Sequence, residues 1–178
     1  MEQQFLIAGF GGQGVLLIGQ LIAKAAMRQG YEVSWMPSYG PEMRGGEANC
    51  AVVVSDEPIG SPLVSEPTVL VAMNRPSLEK FMPAMPAGAT LLYNASLIDG
   101  VTLREDIKVI AVPCNEIADR LQNSRVSNMV MLGAIRAATD AVSLENLTQT
   151  LKEWLGEKKA HMLDINLKGI AEGEALCR

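Results

Sequence analysis

A glycine-rich stretch near the start of the chain, FLIAGFGGQGVLLIGQ, holds the first candidates for binding a ligand. Gly9, Gly11 and Gly14 set out the pattern G-x-G-x-x-G after an apolar run and ahead of a helical one. Glycines at that spacing permit a tight turn and let a ligand's phosphates approach the backbone. The helix that follows aims its unpaired N–H groups and the positive end of its dipole at the anion. Gly9, Gly11, Gly12, Gln13 and Gly14 are therefore the candidate anion-binding residues. The same glycines would also serve if their only task were to let helix and strand pack closely.

A site for NAD needs more than the turn. It wants a carboxylate at the end of the second strand, about 20 residues on, to bond the ribose 2′-OH. That stretch reads EVSWMP, with Ser34 and Trp35 at the relevant place and Glu32 at the wrong end. The missing acid weakens the NAD reading. It leaves open a nucleotide whose ribose carries phosphate, as coenzyme A does, because a carboxylate there would repel it.

A second loop, SYGPEMRGG, follows at the carboxyl end of the second strand, on the same sheet edge as the glycine turn. In open α/β sheets that edge is where ligands bind. Arg44 offers a planar fork to a phosphate or carboxylate, with Gly45 and Gly46 keeping the backbone accessible. Glu42 could orient Arg44, and Tyr39 could stack or donate a hydrogen bond. A self-contained loop with an exposed Glu42–Arg44 pair would look the same in sequence. Other strand ends on this edge are polar as well: Asn74 and Arg75, Asn94 and Ser96, Cys114 and Asn115. Cys114 reads as a packing residue, since no base is in view to activate it.

Catalytic equipment is otherwise sparse. The one histidine, His161, lies in a charged helical stretch, which argues against Ser/His/Asp or Cys/His centres and against a multi-histidine metal site. Cys50, Cys114 and Cys177 are far apart with no CxxC, which argues against a disulfide framework or a self-contained iron–sulfur site and fits a reducing cytoplasm.

These residues need a scaffold, and the hydrophobic pattern supplies one. Apolar runs predict strands over Gln4–Ala8, Glu32–Met36, Asn49–Ser55, Thr68–Ala72, Thr90–Tyr93 and Lys108–Val112, several of them continuous enough to be buried on both faces. Helices are predicted over Val15–Gln29, Pro76–Phe81 and Glu116–Leu121. From Ser127 onward only helices are predicted: Ser127–Val142, Leu144–Leu155 with Ser143 as its cap, and Ala160–Ala175. The fold class is α/β, with a Rossmann-like sheet, mostly parallel or mixed, flanked by helices and an all-helical C-terminal tail. The link from Met36 to Asn49 is too short for a helical crossover, so these strands are antiparallel neighbours or are joined by a functional loop. The first helix is apolar around most of its circumference, which fits either a buried core helix or a subunit contact.

At 178 residues the chain reads as a single domain, 1–178, with an α/β sheet region over 1–126 and a helical part over 127–178 packed on it. Hydrophobic residues make up 48% and charged residues 20%, as in a globular protein. The net charge of −5 supplies no basic field for nucleic acid. No apolar run reaches the ~18 to 20 residues needed to span a bilayer, and the opening MEQQFLIAGF lacks the basic stretch of a secretory leader.

GFGGQG, then SYGPEMRGG, then a strand leading to SDEPIGSP together resemble the gamma subunit of 2-oxoacid:ferredoxin oxidoreductases, the enzymes of pyruvate, 2-oxoglutarate or ketoisovalerate. SNMVMLGA around Asn128 and the closing DINLKGIAEG extend the likeness over nearly the whole chain. The resemblance implies a part of an enzyme that converts a 2-oxoacid and coenzyme A to acyl-CoA and CO2, passing electrons to ferredoxin. Thiamine diphosphate with Mg2+ and iron–sulfur clusters would reside on partner subunits: thiamine-binding alpha and beta subunits and a ferredoxin-like delta subunit. This chain would help bind coenzyme A and assemble the complex in the cytoplasm, with neither nucleic acid nor membrane as a partner. By residue, Gly11, Gly12, Gln13 and Gly14 would lie near phosphate. Tyr39, Glu42, Arg44 and Gly45 would shape the neighbouring loop or meet a thiamine-binding subunit. Alternatives are the matching subunit of an indolepyruvate-type oxidoreductase, a free-standing NAD-binding module, and a purely structural subunit.

Overall fold

The computed structural model describes residues 1–41 and 46–178. Six strands form one sheet: β1 (Glu2–Phe10), β2 (Glu32–Tyr39), β3 (Glu47–Ser55), β4 (Val69–Ala72), β5 (Thr90–Asn94) and β6 (Lys108–Val112), in the order β2-β3-β1-β4-β5-β6. The β1–β4, β4–β5 and β5–β6 pairs are parallel, while β3 runs antiparallel to both β1 and β2. The sheet is thus mixed, with β3 alone reversed. Of the two outcomes the short Met36–Asn49 link allows, the strands are antiparallel neighbours. The central strand β4 is buried at every position, which is why VLVA carries no polar alternation.

Helix α1 (Val15–Arg28) lies on one face of the sheet, against β1, β2 and β3. It can lie close because Gly19 faces β3; a Cβ there would overlap the Cys50 sulfur. The α1 surface turned away from the sheet meets α5 (Leu144–Leu155), with Arg28 paired to Glu153. Much of the apolar circumference of α1 is therefore covered within this chain, while Met27 is exposed and Leu16 and Leu17 are half-buried. Helices α3 (Cys114–Arg120), α4 (Ser127–Thr139) and α6 (Leu163–Ala175) share the same core as α1, while α2 (Arg75–Phe81) packs on the opposite face with Leu6, Leu70 and Leu91.

Boundaries depart from expectation where helices meet turns. α6 begins at Leu163 because residues Glu157–Met162 form a 3-10 turn instead of its first turns. α4 ends at Thr139, where Asp140 takes a left-handed conformation with φ 52°. The expected cap of α5 is present, Ser143 Oγ accepting from the Asn146 N–H at 3.1 Å. No helix among the described residues is long and apolar enough to cross a membrane.

Candidate functional site

The glycine turn closes β1 and opens α1. Gly12 and Gly14 have φ of 96° and 74°, a region that side chains with a Cβ rarely adopt. Gly14 is the N-cap residue of α1, and among the described residues no side chain caps the helix and its first turn carries no acid. The first helical bond runs from the Ile18 N–H to the Gly14 carbonyl, so the N–H groups of Val15, Leu16 and Leu17 have no acceptor within the helix. That is the arrangement an anion uses.

Register brings the second loop alongside. Gly9 pairs with Ala48, and Ala48 pairs with Tyr39, so the carboxyl ends of β1 and β2 flank the start of β3. The Gly11 N–H donates to the Gly46 carbonyl at 2.8 Å, joining the turn to the hairpin. Between them lies a cleft of about 250 Å3, walled by the Gly11, Gly12 and Gly14 backbone, by Phe10, Leu16, Leu17 and Tyr39, and by Glu47, whose carboxylate is paired with Lys80 at 2.6 Å. Among the described residues a Cβ built on Gly12 meets nothing within 4 Å, so no described side chain fills the cleft at that residue. Tyr39 is 58% exposed at its rim.

The expected site residues thus fall into three groups. Gly11, Gly12, Gly14 and Tyr39 line one cleft. Gly9 and Gln13 lie behind it: a Cβ on Gly9 would come within 2.6 Å of Gln13 Oε1, which in turn accepts from the Phe10 N–H at 2.7 Å. Gln13 Nε2 donates to the Met73 carbonyl at 3.1 Å, so that side chain braces the turn. Glu42, Arg44 and Gly45 lie outside the described residues.

The other polar strand ends serve the scaffold. Asn74 caps α2, accepting from the Ser77 N–H at 2.9 Å. Asn94 Oδ1 accepts from the Ser96 N–H at 3.1 Å, and Asn94 Nδ2 donates to Asn115 Oδ1 at 2.8 Å. Burial pushes the Cys114 thiol up to about 12, which keeps it protonated and unreactive at neutral pH. Cys50 is likewise pushed up to about 12, mainly by burial. Among the described residues no three His, Cys, Asp or Glu side chains cluster to hold a metal ion. Buried, protonated thiols do not fit a cluster-ligand role.

One residue at the turn was not in the expected set. Asn128, at the start of α4, is only 7% exposed, and its amide nitrogen sits where a Cβ on Gly14 would be. No local signal marks it, because it reaches the turn from 114 residues along the chain only through the packing of α4.

The position where an NAD site would carry its acid also takes on a different meaning. That rule assumes β2 beside β1. Here β3 lies between them, so β2 is an edge strand one place further out, and Trp35 faces α1 beside Gly19 and Cys50. The lack of an acid there follows from topology as much as from ligand choice.

Comparison with known proteins agrees with this fold. The sequence model of the pyruvate ferredoxin/flavodoxin oxidoreductase family matches residues 4–176. A ketoisovalerate oxidoreductase subunit VorA of Methanothermobacter marburgensis is 41% identical over 97% of this chain and 36% of its own length. A 2-oxoglutarate synthase subunit KorC of the same organism is 36% identical over 85% of this chain and 86% of its own length. The 2-oxoglutarate:ferredoxin oxidoreductase of Magnetococcus marinus, solved with 2-oxoglutarate, coenzyme A and succinyl-CoA bound, superposes with a TM-score of 0.92 at 26% identity, over 99% of this chain and 31% of that one. The chain therefore spans about a third of the length of VorA and of the Magnetococcus chain, and most of the length of KorC.

Proposed function

The chain belongs to the pyruvate ferredoxin/flavodoxin oxidoreductase family, and from that premise we propose that it is the gamma subunit of a 2-oxoacid:ferredoxin oxidoreductase, contributing to coenzyme A binding and to assembly. The complex would oxidise a 2-oxoacid with coenzyme A to acyl-CoA and CO2 and pass the electrons to ferredoxin in the cytoplasm. One observation carries the ligand assignment: an open cleft between the glycine turn and the β2–β3 hairpin, with uncapped N–H groups of α1 at one wall. These groups would hold a diphosphate without any cation, and the apolar sides of Phe10, Leu16 and Leu17 would exclude water from it. A volume of about 250 Å3 is below the ~300–1,000 Å3 of sites that enclose a drug-sized ligand. The cleft would therefore hold one part of coenzyme A and leave the thiol arm to reach a partner.

Thiamine diphosphate with Mg2+ would supply decarboxylation, and iron–sulfur clusters the electron path, on alpha, beta and ferredoxin-like delta subunits. On this reading the chain's own part is to bind and orient coenzyme A. We take residues 1–178 as one unit, supported by a core that joins Ile18 and Val52 of the sheet region to Met129, Leu151 and Ile170 of the helical part. The substrate acid would be a branched-chain 2-oxoacid as in VorA or 2-oxoglutarate as in KorC, chosen by the thiamine-bearing partner.

The test is to tag this chain in its source cell, purify it without oxygen, and assay coenzyme A-dependent reduction of a viologen dye with several 2-oxoacids. Active, brown material whose KM for coenzyme A rises about tenfold or more in Gly12→Val is the expected result, a loss of ~1.4 kcal/mol or more in binding. A purified chain without partners that binds NAD tightly would overturn the proposal in favour of a free-standing dinucleotide module.

A further inference from the structure

Leu17, a wall of the cleft beside the glycine turn, also lines a second cleft of about 220 Å3. This one runs between the start of α4 and the segment joining α5 to α6, and the two are neighbours along the first turn of α1. The charged residues lining the second cleft are both cations, Arg125 and Lys159, with no Asp or Glu among the lining residues. Arg125 is exposed, and it is the one described arginine with no carboxylate partner. The Lys159 ammonium is held over the Trp154 ring, 5.8 Å from its centroid, which fixes a flexible side chain at the rim. In a chain of net charge −5, a guanidinium without a carboxylate partner and a ring-held ammonium facing one concavity form a local exception.

Asn128 links the two clefts. It lines the second one, is more than nine-tenths buried, and packs its amide nitrogen against Gly14 of the first. Among the described residues its carboxamide makes no hydrogen bond, which leaves its donors free for a ligand in the cleft it lines. α1 begins here without a side-chain cap, α4 follows a 3-10 turn that Asn123 caps, and neither has an acid in its first turn, so the positive ends of two dipoles add to the two cations. Buried donor, cations and helix starts are complementary to one kind of group, a phosphate.

We propose that this second cleft is the ribose-phosphate subsite of the nucleotide site. Arg125 and Lys159 take a phosphomonoester on the ribose, and Asn128 donates to the ligand between that group and the diphosphate at the glycine turn. The assignment rests on the coenzyme A reading and deepens it, the phosphomonoester being the 3′-phosphate of that ligand. A phosphomonoester is close to a dianion at neutral pH, its second ionisation lying near 6. A guanidinium fork and an ammonium suit it better than they suit a diester of single charge.

The test compares coenzyme A with 3′-dephospho-coenzyme A in the complex purified through this chain. The KM for the dephospho compound is expected to exceed that for coenzyme A by on the order of tenfold, the effect of about 1.4 kcal/mol of lost contacts. In Arg125→Ala/Lys159→Ala the ratio should fall to about one or two, whereas Lys168→Ala, an exposed lysine outside both clefts, should preserve it. The wild-type ratio should also shrink as pH falls below about 6 and the monoester loses charge. A wild-type ratio near one, or a ratio that survives the double substitution, overturns the subsite. Gly12→Val separates the two levels: a raised KM for both compounds at an unchanged ratio keeps the coenzyme A reading whatever becomes of Arg125. If NADP+ but not coenzyme A binds in an Arg125-dependent way, the subsite serves a 2′-phosphorylated dinucleotide and the assignment to coenzyme A is overturned.

Discussion

The Gln13 carboxamide accepts from the Phe10 N–H at 2.7 Å and donates to the Met73 carbonyl at 3.1 Å, so it ties the glycine turn to the end of β4. The Met73 carbonyl it serves is partly buried while the Phe10 N–H lies at the exposed side, and its removal leaves both without this partner. Gln13→Ala should therefore lower stability by about 1 kcal/mol, the net worth of a partly buried hydrogen bond, read as a lower urea midpoint at unchanged m-value. A substitution that left the midpoint in place while raising the KM for coenzyme A would return Gln13 to the ligand. From the sequence, Gln13 is a turn residue with a polar side chain at a phosphate site, and nothing local says which way it points. Gly12 is the reverse case. Its need for φ > 0 follows from the G-x-G-x-x-G pattern, and among the described residues nothing stands within 4 Å of a Cβ placed there.

At the scale of elements, α4 and α6 approach more closely than side chains allow. Cβ atoms added to Gly133 would overlap the Ile170 carbonyl, and those added to Gly173 the Val130 carbonyl, so each helix offers a glycine to the other's backbone. Backbone cannot rotate away as a side chain can. Gly133→Ala or Gly173→Ala should cost at least the ~1–3 kcal/mol of overpacking, even though alanine is the better helix former by about 1 kcal/mol. Thermal unfolding of either variant checks the sign: a raised Tm would mean the helices stand further apart than described here. The strands were legible because those buried on both faces read as unbroken apolar runs, VLVA above all, and because Gly and Pro punctuate them. The start of α6 was not, since EKKAHM has helical composition yet forms a 3-10 turn after Gly156, whose φ is 65°. The cleft was half legible. Its glycines stand in a recognisable pattern, but Asn128 and Arg125 arrive through helix packing that no short window of sequence contains.

At the scale of the whole molecule, strand order is the feature that local sequence could only bound. The short link before β3 restricts β2 and β3 to a hairpin or a loop, but whether that hairpin joins the sheet through β3 depends on pairing between segments 37 to 53 residues apart. The observed pairing buries Cys50 under α1, and Cys114 is buried where α3 starts. Both thiols are pushed up to about 12 by desolvation, against about 8.5 for a thiol in an unfolded chain. Between those values the unfolded chain has released protons that the folded chain still holds. The folded state is then the one with more protons bound, and its stability must fall as pH rises. The stabilisation is complete below about pH 8.5 and declines toward 12, at up to ~1.4 kcal/mol per pH unit for each thiol. Urea midpoints measured from pH 8 to 10.5 under reducing conditions should fall steadily for the natural chain. Cys50→Ala/Cys114→Ala should start lower, having lost packing, and fall less steeply because two of the titrating groups are gone. Equal slopes for the two proteins would mean that the thiols ionise alike in both states, and so that solvent reaches the seam between α1 and the sheet.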